Sequence, residues 1–153
     1  MKYIFFVLFT LSLYGCSDGL ENLGTISIAQ INPENVQLNE ATIELKKGDV
    51  LELWNDMSIE TKQKNKLVVN YFLEQYLNGK LLGEMDVNAL KTNPTLLESK
   101  EMARGRMIWS FQGKMKSMTI TESGKYTFKA ALFTSDKELI LNRVNIVFKR
   151  RND

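Results

Sequence analysis

From Thr25 onward apolar residues recur mostly at every second position, the period of strands with one buried face. Ile26, Ile28 and Ile31 open the series, and Ile43 and Leu45 follow the Asn32-Pro33 turn. Lys47-Gly48-Asp49 turns the chain into Val50-Leu51-Glu52-Leu53-Trp54. In the next strand Leu67, Val69, Tyr71, Leu73 and Gln75 share one face, opposite Val68, Phe72 and Tyr76. That strand runs to Asn78-Gly79, two residues that tolerate the positive φ of a type I′ turn, so Lys80 to Val87 should return antiparallel.

The alternation then breaks. Residues 88–104 carry Pro94, and Leu96 to Ala103 has helix-compatible composition with Glu98 and Met102 four apart, which predicts a long loop with one or two helical turns. Loops of that length inside a domain tend to carry function, so Leu96, Leu97 and Met102 are candidate partner-binding residues. Strands resume at Arg106 to Phe111, turn at Gln112-Gly113, and continue as Met115 to Thr121, Lys125 to Thr134 and Glu138 to Phe148. Ser135-Asp136-Lys137 reads as a tight loop joining the last two as a hairpin. Eight or nine strands with short turns and no alternation with helices predict an all-β antiparallel sandwich over residues 25–149, followed by a basic tail at 150–153.

The stretch from Met118 to Ala130, with Glu122-Ser123-Gly124-Lys125-Tyr126-Thr127-Phe128 at its centre, resembles the E-to-F corner of immunoglobulin-like domains. The resemblance implies an immunoglobulin-like sandwich in which Tyr126 pins the corner and Phe128 stands where antibody domains place a disulfide cysteine. An aromatic buried there would contribute about 1.5–3 kcal/mol of apolar burial in place of the cross-link.

The N-terminus has a different pattern. Lys2 precedes the uncharged run Ile4 to Leu13, which as a helix would span roughly 15 Å, about half of a bilayer's hydrocarbon core. A positive start, a short apolar centre and a small residue before the break describe an export signal over residues 1–15. Leu13-Tyr14-Gly15-Cys16 resembles the lipobox of bacterial lipoproteins. The resemblance implies that Leu13, Tyr14 and Gly15 are read by the signal peptidase and that Cys16 is acylated and becomes the first residue. Several acyl chains on one residue satisfy the need for more than one hydrophobic anchor. Ser17 after the cysteine implies, by lipoprotein sorting, the outer membrane, the periplasmic side before the surface. Residues 16–24 would then form the lipidated terminus and a short tether.

Cys16 is the only cysteine of 153 residues, and an exported chain makes no internal disulfide from one thiol, so acylation also accounts for the cysteine count. Removing the leader takes 15 residues and Lys2 from the total, leaving 138 residues with 19 basic and 18 acidic side chains. That balance offers no electrostatic case for nucleic acid. Lys149-Arg150-Arg151 is the one charge run; it reads as the solvated end of a strand or as a contact to anionic headgroups or peptidoglycan.

There is no histidine. Ser-His-Asp, Cys-His and ordinary zinc sites are thereby excluded. Ser99-Lys100 and Lys116-Ser117 are adjacent and lack the SxxK spacing, and Glu84 and Asp86 lie on one strand instead of flanking a cleft. Neither a calcium loop nor a glycine-rich phosphate loop is spelled out, so no enzyme, metal or cofactor is expected. Two functions remain in view. One is a lipid-anchored interaction subunit docking on envelope proteins through a sheet edge or the 88–104 loop, similar in size and plan to the small lipoproteins of type VI secretion membrane complexes. The other is a ligand- or glycan-binding module with Trp54 or Trp109 as stacking aromatics. An open tryptophan ring would favour the second, an apolar edge or projecting Met102 segment the first.

Overall fold

The computed structural model describes residues 19–28, 38–62 and 67–151; Ile31 and the Asn32-Pro33 turn lie outside them. Among the described residues the strands in chain order are β1 (Leu20–Ser27), β2 (Asn39–Leu45), β3 (Val50–Thr61), β4 (Val69–Leu77), β5 (Lys80–Asn88), β6 (Thr95–Ala103), β7 (Arg106–Thr119), β8 (Gly124–Thr134) and β9 (Ile140–Arg151). They form two antiparallel sheets, β1-β9-β3-β7-β6 and β2-β8-β4-β5. The all-β sandwich that the alternation predicts is the fold of the chain.

Alternation selects the core. β4 buries Val69, Tyr71 and Leu73, and β8 buries Tyr126, Phe128, Ala130 and Leu132 against Leu51, Leu53, Met57 and Ile59 of β3 and Ile146 and Phe148 of β9. Phe128 and Phe148 meet across the sheets with ring centroids 4.7 Å apart. The corner resemblance holds locally: buried Tyr126 donates its hydroxyl to the Glu122 carbonyl at 2.7 Å as the chain passes from β7 in one sheet to β8 in the other.

Against an immunoglobulin domain, whose sheets run A-B-E-D and G-F-C-C′, strands β3, β7 and β6 stand at B, E and D, and β8, β4 and β5 at F, C and C′. The terminal strands are exchanged. β9 lies beside β3, where A would be, and β2 lies beside β8, where G would be. The expected hairpin between the last two strands is therefore corrected: β8 and β9 belong to different sheets, and residues 135–139 cross between them.

Other boundaries move for physical reasons. The expected turn at Gln112-Gly113 is absent because β7 runs through it, pairing Gln112 and Gly113 with Asp56 and Asn55 of β3. Glycine serves close approach here, since a Cβ at Gly113 would sit 2.5 Å from the Thr92 Cβ. The helical turns expected within 88–104 are replaced by a strand: β6 hydrogen-bonds along β7, and that ladder outweighs the modest helix propensity of Leu96 to Ala103. The tether expected over 16–24 is corrected at its far end, because β1 pairs Leu20 to Gly24 with β9; residues 16–18 lie outside the described residues. The basic run is not a free tail: Arg150 holds Glu21 at 2.6 Å and Asp49 at 3.3 Å, and Arg151 bonds Glu52.

Candidate functional site

The sheet edge at β6 is where exposed apolar side chains gather on a strand with one free side. Two-residue turns at Asn78-Gly79 and Arg104-Gly105, all with positive φ (49°, 84°, 50° and 75°), close hairpins β4-β5 and β6-β7. The second hairpin carries β6 outward as the last strand of the five-stranded sheet. All nine residues of β6 are exposed, with Leu96 at 58%, Leu97 at 63% and Met102 at 58%. The three sequence candidates of this segment thus share one strand.

The register sets the faces. Glu98, Lys100 and Met102 pair with Phe111, Trp109 and Met107, on the face that continues the core; Leu97, Ser99 and Glu101 pair with Gln112, Ser110 and Ile108 on the other. Trp109 tilts against buried Phe111, centroids 4.8 Å apart. Its indole N–H donates to Glu98 Oε1 at 3.0 Å, and Lys100 Nζ lies 4.3 Å above the ring while contacting the same carboxylate at 2.8 Å. The Lys100 ammonium foremost, with the indole N–H assisting against desolvation, holds the Glu98 carboxyl below its usual value. The sequence does not bring Glu98 and Lys100 to Trp109, because Glu98 reads there only as helically spaced from Met102 and Lys100 only as the neighbour of Ser99; Gly105 directly before Arg106 is the signal for the hairpin that does.

Trp54 lies on the opposite face of the same sheet, 5% exposed, and not beside Trp109. Lys149 covers its ring at 4.4 Å, and its indole N–H donates at 2.9 Å to Glu52, a carboxylate 1% exposed that also takes Lys114 at 3.4 Å and Arg151. Burial opposes ionisation of Glu52, yet the Trp54, Arg151 and Lys114 donors outweigh it and hold the carboxyl below its ordinary value. Asp56 and Glu60 continue the ladder along β3, facing Arg143 at 3.0 Å and Arg106 at 3.6 Å. The acids of the central strand are thus neutralised by cations of its neighbours, so this face is electrostatically closed.

Concavities lie elsewhere. A groove of about 710 Å³ separates β1 from β2, lined by Leu23, Glu44, Lys46 and the already paired Arg150; a smaller one of about 300 Å³ between β5 and β7 includes Lys91 and Lys116. Neither tryptophan lines either groove. Among the described residues no group of His, Cys, Asp and Glu is arranged to hold a metal ion, and no helix is long and apolar enough to cross a membrane. Leu13, Tyr14, Gly15 and Cys16 lie outside the described residues. No family model matches the chain, and neither does any curated protein sequence.

Proposed function

We propose that this chain is a lipid-anchored, non-catalytic interaction subunit of a bacterial envelope complex, attached through acyl chains on Cys16 at the outer membrane, on its periplasmic side, and docked on its partners through the β6 edge. A secretion-system membrane complex is the kind of assembly that this plan fits. The observation that carries the reading is a wholly exposed edge strand bearing Leu96, Leu97 and Met102. Edge strands offer unpaired backbone N–H and C=O groups, and apolar side chains beside them supply area for a protein partner. Trp54, covered by Lys149, presents no open ring for a sugar, which supports a protein partner over a glycan.

Affinity purification of the full chain from detergent-solubilised envelopes tests the docking half. A stoichiometric set of envelope proteins should be recovered, and Leu97→Lys with Met102→Lys should reduce it. Retained polysaccharide with no protein partner would overturn the reading. Labelled palmitate should enter the chain and be lost in Cys16→Ser; a water-soluble product with the leader still attached would remove the anchor.

A further inference from the structure

The central charges of β6 are complementary about Ser99: read outward from that residue, Glu98 is matched by Lys100, and Leu97 then meets Glu101. We propose that β6 pairs antiparallel with β6 of a second copy of this chain, centred on Ser99, joining two five-stranded sheets into one of ten strands. The inference rests on the reading of β6 as the docking edge and names the partner at that edge.

Charge complementarity selects both the partner and the register. Antiparallel pairing about Ser99 sets Glu98 opposite Lys100 twice, once on each side of the centre. Directly opposite side chains share a face and interact, favourably for unlike charges and unfavourably for like ones. Sliding the centre to residue 98 puts Glu98 against Glu98, and sliding it to 100 puts Lys100 against Lys100. A half-step toward residue 100 opposes Glu98 to Glu101, and a half-step the other way leaves no charge pair. Among these five registers only the one centred on Ser99 joins unlike charges, and it is the register proposed.

The local geometry is prepared for it. Lys100 already contacts Glu98 of its own strand at 2.8 Å, so pairing would build an alternating quartet in which each carboxylate lies between its own ammonium and the partner's. The ladder irregularity of β6 lies at its start, between Thr95 and Leu97, so the stretch Leu97 to Glu101 about Ser99 is in regular register on both strands of such a pair. The edge strand β5 of the other sheet lacks this symmetry. It carries Glu84 and Asp86 and has its ladder irregularity against Gln75 and Tyr76 of β4.

Cysteine cross-linking of the full chain, purified in detergent from envelopes, tests the register. Opposed residues of an antiparallel pair have Cα atoms about 4.5–5.5 Å apart, within disulfide range. Ser99→Cys should therefore give a covalent dimer on mild oxidation. Glu101→Cys should not, because its two copies would be offset by four residues, about 13 Å along the strand. The unsubstituted chain controls for Cys16. Glu98→Lys should weaken the dimer about tenfold by setting like charges opposite each other, and Glu98→Lys with Lys100→Glu should restore it. Cross-linking that is equal at the two positions, a dimer indifferent to Glu98→Lys, or a full chain that stays monomeric would overturn the proposal. Envelope partners recovered with a monomeric Ser99→Cys chain would sink self-pairing and leave the docking reading in place; a Ser99-specific dimer without envelope partners would do the opposite.

Discussion

Asn55 is 1% exposed at the centre of β3, where it holds two elements together. Its Oδ1 accepts the Tyr71 hydroxyl of β4 at 2.8 Å, and its Nδ2 donates at 2.6 Å to the carbonyl of Ala89, which follows β5. Burial, with the negative charge of Asp56 adding to it, pushes the Tyr71 phenol far above its ordinary value, so it remains a neutral donor throughout an assay near neutral pH. Asn55→Leu keeps the approximate volume but strands a buried hydroxyl and a buried carbonyl, each costing about 1–3 kcal/mol, or about 4 kcal/mol together. That is a large share of the 5–15 kcal/mol typical of a domain, and it should lower the melting temperature by about 12 °C. Adding Tyr71→Phe removes one of the two stranded groups, so the double variant should recover about 1–3 kcal/mol relative to Asn55→Leu. Urea unfolding followed by tryptophan fluorescence measures all four chains of this cycle. A double variant less stable than Asn55→Leu, by the full cost of Tyr71→Phe alone, would refute the reasoning, because additivity means that the two groups do not satisfy each other.

Glu52 has a folded-state carboxyl below its ordinary value, so its contribution is present above the unfolded glutamate range and is lost as pH falls through the folded value; Glu52→Gln should flatten the acid limb of stability below about pH 5, and parallel limbs would refute it. Tyr126→Phe should cost about 1 kcal/mol in urea unfolding, because the Glu122 carbonyl released from the corner sits on an exposed residue and regains water; a loss of several kcal/mol would show a larger role for the corner. Gly113→Ala would place a Cβ 2.5 Å and 2.7 Å from Thr92 Cβ and Oγ1 and 2.9 Å from the Pro94 carbonyl oxygen, an overpacking worth about 1–3 kcal/mol. Hydrogen exchange should then quicken at the amides of Asn93 and Lys114, which now bond to Lys114 O and Pro94 O at 2.7 Å and 3.0 Å; unchanged exchange would count against the close packing.

The sandwich was legible wherever one face of a strand is buried, as in Val69-Asn70-Tyr71-Phe72-Leu73, because burial imposes a period of two. β6 was not legible, since with all nine residues exposed no burial acts on its pattern, and composition then favours a helix. Asn78-Gly79 announced its hairpin by residue type; Arg104-Gly105 makes a turn of the same φ signs, but arginine is an unusual occupant of the left-handed region. Within β3, Glu52 and Asn55 interrupt an apolar run yet are fully buried, a placement visible only once Arg151, Lys114 and Tyr71 arrive from other parts of the chain. The Leu96, Leu97 and Met102 grouping was found for the wrong local reason: the segment that looked like a loop is a strand.

The exchange of terminal strands also constrains biogenesis. β9 fills the slot between β1 and β3, so a nascent chain that has reached only residue 139 leaves β3 with an open edge and β1 without a ladder partner among the described residues. The five-stranded sheet closes only after β9 has emerged. Until Ile146 and Phe148 arrive the core they complete stays open, so the native packing waits on contacts between residues far apart in the chain.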